Sequence, residues 1–414
     1  MTGEVIIKPA LNRPRFPALE SEQAAYLYLE AQPVAGVAAV QAPLNLALVL
    51  DRSGSMAGQK IRDLRQAARL TLDRLGPDDL VSLVLFDDTV DVLAAARPAA
   101  DRAALLAQIE RIDERGGTQM SLGLQAGLAQ LRAGLGPDRV SRLVLLTDGE
   151  TWDDEDRCRE LAQQAAELGA PITALGLGDE WNQALLTDLA DLSGGNWEFI
   201  DTPDRILAAF QHVVVTMQRT VVTNATLILR LVRDVRPRGV WRVRPLIDRL
   251  SARAVGERDV QVALGDLQSE GQSVLIELSL PPRAPGDYRL AQAEVNYDVP
   301  GGGAGLRATA DIVVTFTADA ATAVNGAVMN TVERVTAFKL MTRALDERET
   351  ADAGQRTQRL RAAATRLLDA GEIELARQAE AAAAQMDAGQ ALSPQATKRL
   401  VSATRRLDMS DLGQ

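Results

Sequence analysis

Histidine and cysteine are almost missing from this chain, and each shortage closes off a class of function. The single cysteine, Cys158, rules out an intramolecular disulfide and fits a reducing compartment. No zinc-type ligand spacing and no glycine-rich phosphate loop is present. Aromatic residues make up 3 % of the chain, which leaves little surface on which bases could stack, and a formal charge of -11 repels phosphate. Nucleic acid is therefore not an expected partner. The one arginine-rich stretch, 230 to 253, alternates like a strand and reads as a solvated sheet face. The start MTGEVIIKPALNRPRF lacks a basic region followed by an apolar one. The most apolar run, Pro33 to Leu50, is interrupted by Gln41 and Asn45 and reads as a linker followed by a buried strand. The expectation is a cytoplasmic protein that does not enter a membrane.

What the chain does have is length and rhythm. Its 414 residues, 46 % of them apolar, exceed one compact core and predict two or three domains. From Asn45 to Thr220 short apolar runs alternate with longer amphipathic ones, the pattern of a doubly wound α/β sheet. The predicted strands are 46–50, 80–86, 89–93, 142–147, 171–177 and 196–200. Only Asp87-Asp88 separates the second from the third, so the third is an antiparallel edge strand. Beyond Thr220 the period drops to two, in TLILRLV, DVQVAL, SVLIELSL, YRLAQAEVNY and ADIVVTF, with RPRG, PPRAPGD and PGGGAG as turns. That is the signature of an antiparallel β-sandwich. Residues 1–42 are too few to fold alone and are expected to pair with those later strands. The α/β domain, 43–218, is then an insertion, the sandwich resumes over 219–320, and Ala, Leu, Arg and Glu at helical spacing over 321–414 predict three or four helices capping it.

Candidate chemistry lies at three places in the α/β part. LALVLDRSGS sets Asp51, Ser53 and Ser55 directly after a buried strand, with Gly54 allowing a sharp turn. GGT presents Thr118 before the run MSLGLQAGLAQL, and RLVLLTDGE ends a further strand with Asp148. If the strand order is 3-2-1-4-5-6, strands one and four are neighbours at the switch point, and Asp51 stands beside Asp148 in the crevice where open α/β sheets bind ligands. Three hydroxyls and two carboxylates suit Mg²⁺, which prefers six oxygens and parts reluctantly with water. Such a set leaves the ion positively polarised with a vertex for an incoming carboxylate. The alternative is structural: Ser53 caps the following helix and Asp51 braces the loop.

These segments, roughly residues 43 to 218, resemble the von Willebrand factor A and integrin inserted-domain family, whose motif of Asp-x-Ser-x-Ser, then Thr, then Asp is matched at all five positions. The resemblance implies a metal-ion-dependent adhesion site with Ser53 and Ser55 as direct ligands. It also implies that Thr118 and Asp148 exchange direct and water-mediated roles. The expected ion is Mg²⁺, with Mn²⁺ or Ca²⁺ as substitutes, and the expected partner is a protein that supplies a carboxylate. Met56, Gln119, Glu150 and Trp152 are expected on the rim of the metal, with Trp152 as an anchor for the partner. The acidic run from Asp153 to Asp156 begins a helix, where negative charge is favourable. In integrin-like domains the last helix shifts on ligation; here 203 to 219 runs straight into the sandwich, so ligation would be transmitted to it.

An intracellular protein-binding module is the expectation, not an enzyme. A metal-dependent hydrolase, the first rival, needs a general base or second metal beside the first, and the sole histidine, His212, falls in the last helix far from the metal loops. A secreted adhesin is the second rival. Bacterial proteins of this type are often coupled to ATPases, kinases or defence systems, and no residue here selects among these.

Overall fold

The amino-terminal strands do not form a unit of their own. β1 (Val5–Leu11), β2 (Arg15–Pro17) and β3 (Gln23–Pro33) join strands formed much later in the chain. A computed structural model describes residues 4–34, 42–151, 153–255, 258–319, 323–346 and 352–407.

Between β3 and the later strands lies the α/β insertion. Its elements are β4 (Leu44–Asp51), α1 (Gln59–Leu72), β5 (Leu80–Phe86), β6 (Val90–Pro98), α2 (Arg102–Ile109), α3 (Met120–Arg132), β7 (Val140–Thr147), α4 (Glu155–Glu167), β8 (Ile172–Leu177), α5 (Gln183–Ser193), β9 (Asn196–Ile200) and α6 (Ile206–Gln218). The sheet order is β6-β5-β4-β7-β8-β9, with every pairing parallel except β5 with β6. This is the expected order and the expected antiparallel edge. Every residue of β4 and β7 is buried, as befits central strands covered by helices on both faces. Leu48 faces Leu83 on one side and Val144 on the other, so Asp51 and Asp148 emerge from adjacent strand ends.

The sandwich follows as β10 (Thr220–Leu231), β11 (Arg236–Arg244), β12 (Asp248–Arg249), β13 (Ala252–Ala254), β14 (Asp259–Gln268), β15 (Gln272–Leu280), β16 (Gly286–Val299) and β17 (Gly303–Thr317). One sheet has the order β1-β3-β15-β11-β12 and the other β13-β14-β10-β16-β17-β2. The amino-terminal strands thus complete both sheets, with Leu27 opposite Ile276 in one and Phe16 opposite Phe316 in the other. Alternating inward residues such as Leu227, Leu229, Val295 and Ile276 fill the space between them.

Two expectations for this region are corrected. RPRG is not a turn: Arg236 to Gly239 open β11, and Pro237 is tolerated because the register slips between it and Gly239. The arginines of 230 to 253 do not form one solvated face either. Arg242 is 8 % exposed and donates from Nη2 to Asp248 at 3.0 Å.

Four helices end the described chain: α7 (Gly326–Leu345), α8 (Ala353–Asp369), α9 (Ile373–Asp387) and α10 (Pro394–Arg405). Asn325, Asp352 and Ser393 cap the first, second and fourth through side-chain oxygens. The bundle does more than cover the sandwich. Phe338 of α7 meets Trp241 of β11 edge-on at 6.3 Å, while Lys398 of α10 donates to the Asp179 and Trp181 carbonyls of the α/β unit at 2.7 and 2.9 Å. Lys398 also lies 4.2 Å from the Trp181 ring centre. A single apolar core therefore runs from α3, α4 and α5 through Trp181 and Trp197 into the helices. Within it Cys158 is fully buried, and burial together with nearby Asp154 pushes its thiol far up, which keeps it inert.

Candidate metal centre

The site grows from the carboxyl ends of β4 and β7. Where the apolar run of β4 stops, the Asp51 carboxylate turns the chain back on itself: Oδ1 accepts from the Ser53 amide at 2.8 Å and Oδ2 from the Thr147 hydroxyl at 2.6 Å. Ser53 and Ser55 then face each other, Oγ to Oγ, at 3.0 Å, and Ser55 Oγ donates to Asp148 Oδ1 at 2.7 Å. The third loop is brought in by its backbone, since the Gly54 amide donates to the Gly116 carbonyl at 3.1 Å. A methyl group built on Gly149 would lie 3.6 Å from Thr118 Oγ1 and 3.8 Å from Ser55 Oγ, so both hydroxyls converge over the end of β7.

These spacings suit a small divalent ion. Neighbouring oxygens of an octahedron with bonds of roughly 2.0 to 2.1 Å stand roughly 2.9 Å apart, and the two Ser55 contacts bracket that value at 2.7 and 3.0 Å. Among the described residues no three His, Cys, Asp or Glu side chains cluster as a metal site, so any cation here is held largely by hydroxyls. Asp51, Ser53 and Asp148 are buried, Thr118 is half-buried and Ser55 is exposed, which leaves the set open on one side. Burial pushes the Asp51 carboxyl up to about 6 against hydrogen bonds from Ser53 and Thr147, and Asp148 adds to the rise. A buried carboxylate under that strain gains from a nearby positive charge. The Lys60 ammonium of α1 sits directly on the neighbouring carboxylate, at Asp148 Oδ2.

Lys60 was not singled out in the sequence, nor were the residues that hold the loops. Asp87 is the hub of one such group. Its Oδ2 accepts from Arg52 Nε at 2.6 Å and from Arg115 Nε at 3.0 Å, while Asp91 takes the other ends of both arginines. Burial would raise Asp87, but hydrogen bonds from Thr89, Arg115 and Arg52 bring it down to about 2. Asp88 accepts from the Gly117 amide at 2.8 Å, so closely that a Cβ at residue 117 would stand 2.4 Å from its oxygen. Glycine at 116, with a φ of 73°, and at 117 is thus what lets the Thr118 loop close on Asp87 and Asp88. The expected tight turn at these acids is also the anchor of the neighbouring loop.

A second group sits behind Thr118. Asp154 begins α4, yet its side chain makes no cap there; Oδ2 accepts from the Ser121 amide in the first turn of α3 at 2.8 Å. Thr151 Oγ1 donates to Asp154 and accepts from the Met120 amide at 3.1 Å. The start of α3 is therefore capped by the loop after Asp148, which ties the positions of Thr118 and Asp148 together.

On the rim, Gln119 and Glu150 are exposed as expected. Met56 is a correction: it is fully buried with Leu46, Leu48 and Leu64, because the short helical turn 54–56 rotates its side chain under the sheet end. Trp152 lies outside the described residues. His212 is an exposed residue of α6, 3.5 Å from Glu198, and belongs to a different cavity.

Comparison with known proteins agrees with this geometry. Residues 45–206 match the von Willebrand factor type A domain, and residues 326–410 match the Sll0103-like, C-terminal alpha-helical domain. The uncharacterized protein sll0103 of Synechocystis sp. is 36 % identical over 268 residues, 63 % of each chain. The inter-alpha-trypsin inhibitor heavy chain H3 of Rattus norvegicus is 35 % identical over 36 % of this chain and 18 % of its own, so this chain spans less than two thirds of either relative. The solved von Willebrand factor type A structure from Catenulispora acidiphila superposes with a TM-score of 0.82 at 19 % identity, covering 98 % of this chain and 97 % of that one. That likeness extends over sheet, sandwich and helices together. Among the described residues no helix is long and apolar enough to cross a membrane. The chain thus carries a von Willebrand factor type A domain, set into a β-sandwich and followed by an Sll0103-like helical domain.

Proposed function

We propose that Asp51, Ser53, Ser55, Thr118 and Asp148 hold a divalent cation, Mg²⁺ in the first instance, through which the protein grips a carboxylate of a protein partner inside the cell. The observation that carries this reading is that Ser53, Ser55 and Asp148, from two loops, stand at oxygen spacings of 3.0 and 2.7 Å, with Thr118 Oγ1 of a third loop converging over the same strand end. The ion would supply an electrophilic vertex; the chain's own residues do the rest. Asp51 and Thr147 fix the base of the site, Ser55 and Thr118 stand on its open side, and Lys60 raises the local positive charge. Two carboxylates balance a divalent ion, so with the Lys60 ammonium alongside the filled site carries about one net positive charge, which favours an anionic guest.

Binding suits the site better than catalysis. Apart from the two carboxylates themselves, the groups touching the proposed ligands are hydroxyls, one backbone amide and one ammonium, and His212 lines another cavity. Ligation can reach the rest of the molecule through α6, since only Arg219 separates its end from β10. Unchanged hydrogen exchange over residues 203 to 230 on adding metal and partner would refute that route.

Affinity capture with wild type and Asp51→Ala, each with Mg²⁺ or chelator, tests the main reading. A set of proteins held by wild type with Mg²⁺ and lost from the other three samples is the expected result. Recovery of one set from all four would overturn it.

A further inference from the structure

Away from the metal loops, a cavity of about 850 Å³ opens where the three parts of the molecule meet. β9 and α6 form one wall, β11 and β14 another, and α9 and α10 the third. Its lining combines an apolar surface, from Phe199, Val213, Leu246 and Leu264, with a notable density of arginine.

Two of these arginines are built into the wall. Arg142, 6 % exposed, donates to Asp266 at 2.5 Å across the junction of α/β domain and sandwich; Arg242, 8 % exposed, donates to Asp248 at 3.0 Å. Each still has a buried Nε–H with no acceptor among the described residues. Gln272, 4 % exposed, lines the same cavity and its Oε1 likewise lacks a partner. These three atoms are sealed from solvent inside the wall, so contact with a ligand falls to the exposed arginines of the cavity, Arg205, Arg399 and Arg406.

Charge gives the sign of that ligand. Five arginines line the cavity, Arg142, Arg205, Arg242, Arg399 and Arg406, against three acids, Glu198, Asp201 and Asp266, with a fourth acid, Asp248, holding Arg242 from behind. The acids are already engaged: Asp266 by Arg142, Asp201 by Arg205 and Arg399 at 3.3 Å each, and Glu198 by His212 and Arg406 at 3.5 and 3.6 Å. The surplus is positive. We infer that this cavity binds a small organic anion, with a carboxylate or phosphate head accepting from Arg205, Arg399 and Arg406 and an apolar body against Phe199, Val213 and Leu246. The volume lies in the range of small-molecule sites, and their usual make-up is the same, apolar walls with a few placed polar groups. A ligand there would touch all three parts of the molecule and brace them against one another.

The test is calorimetric titration of the full chain with hexanoate, hexyl phosphate and 1-hexanol, with and without Mg²⁺ so that the result stands apart from the metal reading. Saturable binding of one or both anions, at least tenfold tighter than the alcohol, is expected, and which anion wins identifies the head group. Ala403→Trp and Ala208→Trp, which fill the cavity from two exposed helical positions and leave its arginines in place, should each weaken binding at least tenfold. Circular dichroism and an unchanged melting temperature without ligand identify the variants that fold. No saturation by either anion, equal binding of the alcohol, or full affinity in both folded variants would overturn the inference.

Discussion

The ammonium of Lys60 occupies Asp148 Oδ2, one of the oxygens proposed for the metal. A tethered cation and a free one then compete for the same carboxylate. Lys60→Met should therefore bind Mg²⁺ and Mn²⁺ about tenfold more tightly, roughly 1.4 kcal/mol, by titration calorimetry. Affinity equal to or below that of the parent would show that the ammonium does not compete with the ion for Asp148.

The loop before Thr118 depends on a buried ion pair, Arg52 with Asp87, in which both side chains are under 5 % exposed. Asp87→Asn removes the buried one of the two carboxylates that hold Arg52, leaving it the half-exposed Asp91, and should cost up to about 3 kcal/mol, with weaker metal binding as the Gly116–Gly117 loop loosens. The pH dependence has a definite sign. Asp87 sits at about 2 in the folded chain against an ordinary 3.8, so its contribution is present above pH 3.8 and is lost as the pH falls through 2. Urea unfolding of both proteins should give a wide gap at pH 7 that closes toward pH 2; a gap that stays constant assigns the loss to packing.

Asp154 should behave as a cap for a helix it does not belong to. Removing it in Asp154→Ala frees the Ser121 amide at the start of α3 and is expected to cost about 1 to 2 kcal/mol. Hydrogen exchange would then speed up at residues 120–122 and not at the start of α4. Faster exchange confined to α4 would contradict the assignment.

Met56 and Glu150 separate stability from recognition. Met56→Ala empties a fully buried position and should cost about 2 to 5 kcal/mol, with little change in partner affinity once the protein is folded. Glu150→Ala, at an exposed position, should leave the melting temperature within a degree or two and alter partner capture. The reverse pattern would restore Met56 to the rim.

Where α5, the sandwich and α10 meet, Asp191 faces Asp248, Arg242, Arg405 and Asp188. Burial first, then Asp248, pushes it up to about 7, outweighing the two arginines. A raised carboxyl favours the fold below pH 3.8 and loses that advantage as the pH climbs through 7. Asp191→Asn should accordingly gain on the parent between pH 4 and 8, by something of the order of 1 kcal/mol once partial exposure is allowed for. A stability difference independent of pH would rule out this ionisation.

Much of the layout could be read from the chain because period and position agree. The apolar runs at 46–50 and 142–147 are central strands for the reason they look like strands, burial on both faces, and the acid ending each run marks the crevice. What escaped was whatever depends on a partner distant in sequence. Lys60 is an unremarkable helical lysine until Asp148 is placed beside it, and Asp154 looks like the beginning of α4 although its side chain serves α3. Met56 follows the motif directly, yet the turn at 54–56 points it inward. Arg242 alternates as a surface residue would, but the face it belongs to is covered by another part of the molecule.

The inserted domain is tethered twice, entering after β3 and leaving into β10, and these two strands belong to different sheets of the sandwich. Both junctions among the described residues, the start of β4 and the end of α6, lie at the amino ends of the parallel strands, the pole opposite Asp51 and Asp148. A tug delivered by a bound guest would consequently run lengthwise down the central strands and divide between two hydrogen-bonded sheets, so that no single strand has to be peeled away to resist it.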